Sequence, residues 1–349
     1  MRLERRDHVP AALALAAPIG AVLAALILCA GLIAWAGAPV LEAYGRLVTG
    51  AFGSRLSLTE TLARATPLML TGLAAAVAFR ARLWNIGGEG QFYIGALVAA
   101  AAGAGALALP GWLLISVLLI LGAAGGAALL VVPTLLKTKA GVDEVVTTLL
   151  LNFVVLLFVS MMIEGPMKDP LAFGWPQSAP VVEHAILPDL IARTRLHAGF
   201  LIAIAAAVAF WLIDSRTVQG YESRAVGANP EAARFAGIAV DRTILRVAVF
   251  SGGLAGLAGA IEVIGLKEYL TLDLSPGYGY AGIIVAMLAQ LHPLGVVAAA
   301  IFVATVFVGA DSMGRSLGVP SFIADVIVAV SLLCMLVALF LARYRVRRR

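Results

Sequence analysis

An all-α integral membrane protein of about ten transmembrane helices, some of them broken or re-entrant, is the fold class that this 349-residue chain predicts. Composition is the first reason: 62% of residues are hydrophobic and 13% charged, where soluble domains carry about 45–50% and about 25%. Mean hydropathy is +1.00. The second is pattern, because the apolar residues fall in long unbroken runs and not in the roughly ten-residue alternating segments of a barrel. The third is interruption: glycine-rich polar stretches cut into the apolar runs at recurring places.

In chain order, a window of about 20 residues marks spans at 11–37, 60–79, 87–108, 112–136, 145–163, 199–213, 243–264, 280–291, 294–310 and 321–342. Residues 1–10 read as an N-terminal arm, 11–342 as one transmembrane domain and 343–349 as a basic tail. The first apolar run, roughly 28 residues long, exceeds the about 7–15 of a signal-peptide core and reads as a retained span. The pair at 280–310 is interrupted by Gln290, His292 and Pro293. Cys29 and Cys334 sit inside apolar runs and read as small hydrophobes, with no disulfide or metal spacing.

Basic residues orient the chain. With the N-terminus inside, segments 1–10, 80–86, 137–144, 214–242 and 343–349 hold roughly 16 Lys and Arg, and the outer segments about seven. Ten spans with both ends in the cytoplasm satisfy that asymmetry. The outer loop Glu164–Ala198, with five prolines, is expected to pack over the outer mouth.

Two breaks call for a physical reason. Arg80–Gln91 reads RARLWNIGGEGQ and Asp273–Gly282 reads DLSPGYGYAG. Non-helical backbone at membrane depth survives only where protein or a water-filled cavity satisfies it, so such breaks are candidate linings of a substrate path. They occupy corresponding places in 60–163 and 243–342, two blocks of four spans that start on opposite faces, so inverted four-helix repeats are expected. Gly277-x-Gly279-x-x-Gly282 matches a dinucleotide fingerprint by letter only, since no βαβ unit surrounds it.

Polar groups inside spans are few: Glu89, Gln91, Asn152, Glu262, Gln290 and Asp325, with Trp84 and Asn85 at the first break. Glu89 and Glu262 admit two readings, a carboxylate held by helix ends or by an Arg such as Arg80, or a group on a substrate path. Asn152 reads first as a helix–helix hydrogen bond and second as a path residue. Asp325 reads as a helix-start residue. Gly122-x-x-x-Gly126 and Gly252-x-x-x-Gly256 read as close-packing faces.

The most polar internal stretch is Gly220–Arg242. Within it Asn229 is an N-cap, Pro230 suits the first helical position, Glu231 faces the positive helix end, and Gly237 closes the element. A helix of roughly two turns is too short to stand alone in water, so it is expected to dock on something. No phosphate loop, metal cluster or nucleophile elbow occurs, so no catalytic or metal residue is assigned. Any nucleotide that drives transport must bind another chain.

These residues together resemble the permease subunits of bacterial ATP-binding-cassette importers, in the branch for nucleosides and simple sugars related to the branched-chain amino acid permeases. The resemblance runs from about Leu58 to Ala342, through Phe79–Gly95, Gly141–Asn152, Gly165–Pro170, Val226–Ile238 and Gly277–Gly295. It implies that Gly227–Gly237 is a coupling helix seated in a cleft of an ATPase subunit. Ala232, Ala233, Phe235 and Ile238 would pack into the ATPase, with Glu231 and Arg234 at the rim. It further implies an ATPase dimer that binds the ATP, a second permease chain, an extracytoplasmic binding protein, a bacterial inner membrane and no nucleic acid. The Trp84–Gln91 break would lie along the path of a small polar solute, moved by alternating access. Two other classes stay open on the residues alone. One is an ion- or proton-coupled carrier titrating Glu89, Glu262 or Asp325, and the other is a membrane scaffold without transport.

Overall fold

The computed structural model describes residues 2–5, 11–105, 107–318 and 322–347, so parts of the expected arm 1–10 and tail 343–349, and residues 319–321 of the last expected span, lie outside the described residues. The chain divides into two compact units, Met1–Thr61 with Phe302–Arg349 and Leu62–Ile301.

In the first unit, α1 (Ala11–Trp35) packs against α13 (Ile323–Arg343). Ala21, Ala25, Cys29 and Ile33 recur every fourth residue as the buried stripe of α1. Gly37, at φ +81°, ends the helix, and after Pro39 the chain turns through 116° into α2 (Val40–Phe52). The sequence pattern predicts only a connection there. Helix α2 is amphipathic, burying Ala43, Leu47 and Ala51 while Glu42 and Arg46 pair on its exposed face at 3.5 Å. Asp325 lies in the first turn of α13, as a helix-start residue should. Arg2–Arg5 and Tyr344–Arg347 pair as short antiparallel strands, so the two ends of the chain lie side by side.

The second unit carries most of α3 (Arg55–Arg80), then α4 (Gly88–Gly103), α5 (Gly111–Ala140), α6 (Glu144–Glu164), α7 (Gly199–Arg216), α8 (Val218–Ala228), α9 (Pro230–Phe235), α10 (Val240–Glu262), α11 (Tyr278–Leu288) and the start of α12 (Pro293–Leu317). All ten expected spans are helices, yet among the described residues only six are long and apolar enough to cross a bilayer, or seven if the bent pair α1–α2 counts as one. That is fewer than the ten spans expected, and residues 319–321 of the last expected span lie outside the described residues. With 16 and 11 residues, α4 and α11 reach only about 24 Å and about 16 Å, short of the about 30 Å of hydrocarbon.

Those two short helices are related by inversion. The end of α3 packs with the start of α10, since Phe79 shares a core with Val240 and Ile244, so α3 and α10 run antiparallel. Helix α11 starts beside mid-α3, where Thr71 bonds the Tyr278 carbonyl, and the turn after it ends beside Arg80, whose Nε donates to Leu291 O. It runs with α3. Helix α4 starts beside mid-α10, through Asn85 and Ser251, and ends at Gly103, next to the strand that bonds Glu268 just after α10. It runs with α10. Two shortened helices thus begin at one depth and diverge toward opposite faces, the geometry expected of inverted repeats.

Small residues let this core close. Gly122 and Gly126 of α5 lie against Gly252 and Gly256 of α10, where a Cβ on Gly256 would stand 2.3 Å from Gly122 O. Backbones in direct contact replace the hydrophobic effect as the cohesive force in lipid.

The segment between α6 and α7 is tied over the ends of α4 and α10 by backbone bonds from Val181 to Glu268, Val182 to Gly103 and Leu187 to Ile264. His197, 1% exposed, closes it, with Nδ1 accepting from Gly199 N at 3.2 Å. Burial pushes this imidazole down to about 4, against a smaller upward pull from Asp189. The unfolded chain takes that proton near pH 6.5 and the folded one only near 4. The stability His197 confers is thus complete above 6.5 and drains away as pH falls toward 4, by about 2 kcal/mol at pH 5. Protection factors of the amides in residues 165–198, corrected for the intrinsic pH dependence of exchange, are expected to be lower at pH 5 than at pH 7, and His197→Gln to abolish the difference. Equal protection at both pH values in the native protein would show that the ring is not held neutral.

Candidate functional site

The site is built where the two broken helices meet. Helix α3 ends at Arg80, Arg82 turns left-handed at φ +54°, and buried Ala81 and Leu83 pin the break to the core. Asn85 and Gln91 then bond reciprocally through their amides at 2.8 and 2.9 Å, and Asn85 also reaches Ser251 Oγ at 3.0 Å. On the other side α10 loosens into a π turn over Val263–Lys267, Glu268 turns left-handed at φ +66°, and the chain re-enters α11 after Gly277 at φ +91°. Ser275 caps α11, its hydroxyl accepting from Gly277 N and Tyr278 N. π turns of this kind recur at functional positions.

Gly88 and Gly279, each at the first turn of its helix, lie in backbone contact. The Glu89 carboxylate, 4% exposed, accepts from Gly279 N at 2.7 Å and bonds the Ser275 hydroxyl. Two helix starts therefore converge on one buried carboxyl group. Asn152 of α6 bridges both breaks: its Oδ1 accepts from Gly90 N at 2.8 Å, and its Nδ2 donates to Ile86 O and Tyr280 Oη at 3.0 and 3.1 Å. Tyr93 Oη accepts from Ser275 N at 3.2 Å and donates to Leu272 O at 2.5 Å.

This arrangement sorts the expected residues. Asn85, Gln91 and Asn152 spend their amides on holding the breaks, and Glu89 is held by a helix end and a hydroxyl. Arg80 is engaged elsewhere, with Asp214 and Leu291 O. Trp84 is 44% exposed and stacks its edge near Phe79 at 5.0 Å. Glu262 is buried at the end of α10, about three turns beyond Ser251. Sequence reasoning misses Thr71, Tyr93, Ser275, Gly279 and Tyr280. Four of them lie within or beside stretches already marked as breaks, where glycine and tyrosine alternate.

The second feature is the polar stretch before α10. It holds two helices, α8 and α9. Asn229 Oδ1 accepts from Glu231 N and Ala232 N at 3.0 and 3.1 Å, Pro230 opens α9, and Gly237 follows it at φ +85°. Phe235 is 96% exposed, with Glu231, Ala232 and Arg234 also outward. Ala233 is not outward: it is 4% exposed in a core with Phe79, Leu83, Val226 and Val240, and Ile238 packs partly against the same core. The expectation that Ala233 faces a partner is corrected, because a helix of six residues has one face for its own body and one for everything else. Gly227 is the weld, since a Cβ there would stand 1.8 Å from Arg80 O, at the very end of α3. Asp214 of α7 pairs with Arg80 and, at 3.1 Å, with Arg224 of α8. The outward knob and the break that leads to Glu89 thus share one joint.

Comparison with known proteins identifies the family. Residues 57–341 match the family described as the permease component of branched-chain amino acid transport systems. The glucose ABC transporter permease protein TsgB13 of Haloferax volcanii is 35% identical over 99% of this chain and 93% of its own length. The guanosine ABC transporter permease protein NupP of Bacillus subtilis is 34% identical over 90% and 91%. The nucleoside ABC transporter permease protein NupB of Lactococcus lactis is 32% identical over 82% and 80%. No solved structure gives a significant match.

Proposed function

This chain belongs to the family of permease components of branched-chain amino acid transport systems and is the membrane-spanning permease of an ABC importer for a small polar solute, a premise from which we propose how it takes up its energy and its cargo. The cargo is a simple sugar or a nucleoside, the classes named for the relatives. The exposed face of α9, Phe235 and Ala232 flanked by Glu231 and Arg234, seats in an ATPase subunit that binds the ATP. An extracytoplasmic binding protein delivers the solute at the opposite face, and a second permease chain completes the path. The basic segments, α8–α9 and both chain ends lie in the cytoplasm of a bacterial inner membrane.

Rocking of the knob is passed through Gly227 and Arg80 to the break, and so to the meeting of α4 with α11. There the half-exposed Trp84 and Tyr280 and the rim of Gly88 and Ser275 line the path, while Glu89 holds the two helix starts together. One observation carries the reading: the capped, outward helix α9 follows directly on α8, whose Gly227 is welded to the residue at which a membrane helix breaks. The ion- or proton-coupled carrier is displaced by the family. Because Phe235 touches little of its own chain, Phe235→Asp is expected to leave the permease folded with an unchanged Tm. ATP-driven uptake by the reconstituted complex should fall at least tenfold. Uptake at the native rate would remove α9 as the docking element.

A further inference from the structure

A groove opens at the root of α8, between the end of α3, the end of α7 and the start of α10. Its walls are apolar, among them Val77, Phe210, Val247 and Phe250, and its rim is charged, with Arg80, Asp214, Glu222 and Arg246. Phe210 and Phe250 meet edge to face at 5.5 Å and also floor a second furrow, which continues along α5, α7 and α10 over Ala123, Ala124, Ala127, Gly253, Leu254 and Leu257. The furrow is lined without a polar side chain. One end of a continuous track is therefore ionic and the rest hydrocarbon.

A second observation points to an occupant. Thr243 lines the groove, is 2% exposed, and its hydroxyl has no hydrogen-bond partner among the described residues. Helical threonines elsewhere in this chain return that hydroxyl to the carbonyl four residues back, as Thr134 and Thr138 do. A buried hydroxyl without a partner is disfavoured by about 1–3 kcal/mol unless something else accepts its proton. At the rim, Arg80 pairs with Asp214 and Arg246 with Glu222 at 3.1 Å. Arg224 lies outside the groove lining but also reaches Asp214, at 3.1 Å, so the groove and its surroundings bring three guanidinium groups to two carboxylates.

We propose that this track binds a membrane glycerophospholipid. Its phosphodiester sits at the Arg246 end of the rim, an ester carbonyl accepts from the Thr243 hydroxyl, and one acyl chain lies in the furrow under Phe210 and Phe250. Basic pockets between membrane helices take anionic head groups by the same electrostatics. Because Arg80, Asp214 and Glu222 also anchor α8, the lipid stiffens the joint that links the knob to the break. The inference requires only that the chain spans a membrane, so it stands or falls separately from the docking of α9.

The test uses the intact importer purified in mild detergent, with native mass spectrometry of retained phospholipid and Tm after adding phosphatidylglycerol or phosphatidylethanolamine vesicles. The native protein is expected to keep about one phospholipid per permease copy. Ala124→Trp, which fills the furrow from an exposed position, should lower retention at least fivefold with the fold intact. Thr243→Val should also lower it, yet raise the Tm of lipid-stripped protein because the unsatisfied hydroxyl is gone. Three results would overturn the proposal: no retained phospholipid in the native protein, retention unaltered by Ala124→Trp, or glycerol 3-phosphate alone raising Tm as much as the vesicles do. A cross-link from position 250 to the second permease chain would overturn it as well, by giving the groove a protein occupant.

Discussion

Gly279→Ala is expected to cut ATP-driven uptake at least tenfold and to lower the Tm of the isolated permease. The added Cβ would stand 2.1 Å from Glu89 N and 2.5 Å from Glu89 Cα. Both atoms are backbone in the first turn of α4, so no rotamer change relieves the clash. The starts of α4 and α11 would have to separate by roughly 1 Å, at an overpacking penalty of about 3 kcal/mol. Separation also breaks the bond from Gly279 N to the Glu89 carboxylate, so the loss falls on the contact that defines the site. Glu89→Gln is the informative companion. An amide oxygen still accepts from Gly279 N, and uptake is expected to stay within about threefold of native. Glu89→Ala leaves that buried N–H without an acceptor, a penalty of about 1–3 kcal/mol, and should resemble Gly279→Ala. Native uptake and Tm in Gly279→Ala would mean that the two helix starts do not abut.

Gly227→Ala should be nearly as severe by a different route. Its Cβ would fall 1.8 Å from Arg80 O and 2.9 Å from Arg80 C, so α8 would be lifted off the end of α3. Just beyond α9, Gly237 serves as control: it is left-handed at φ +85°, but a Cβ added there would have nothing within 4 Å. Gly237→Ala therefore meets only backbone strain of about 1–2 kcal/mol. Measured as uptake per ATP hydrolysed in the reconstituted complex, Gly227→Ala should lose at least tenfold and Gly237→Ala less than threefold. Matching losses would show that steric contact at Arg80 is not what joins α8 to the membrane helices.

What could be read from the chain alone follows from how local each signal is. Asn229, Pro230 and Gly237 specify α9 within a few residues, so the helix and its caps were legible. The direction in which Ala233 points depends on Phe79 and Leu83, more than a hundred residues away, and was not. Helix α2 escapes a hydropathy reading because Glu42 and Arg46 dilute its average, although Ala43, Leu47 and Ala51 give it a buried face. Hydropathy windows register apolar length but not a straight helix, so α4 and α11 counted as full spans when each falls short of one. The two breaks stood out through their glycines, while their mutual contact did not, since Glu89 and Gly279 lie 190 positions apart. Thr71 and Ser251 escaped notice because a hydroxyl in an apolar run barely alters the average, and only the fold reveals that each ties a long helix to a break.

The cap and inward anchor of α9 bear on how tightly a motor can be held. A segment that must fold on contact surrenders on the order of 1 kcal/mol of backbone freedom for every residue it orders. Here Asn229 and Ala233 have already imposed that order in the free permease, so the knob arrives preorganised and its grip on a socket is not taxed by folding. Recognition then reduces to shape: a rigid aromatic stud either fits the cleft offered to it or does not. On the docking proposed for α9, paired subunits would let go and re-engage in every transport cycle without melting and rebuilding the joint between them.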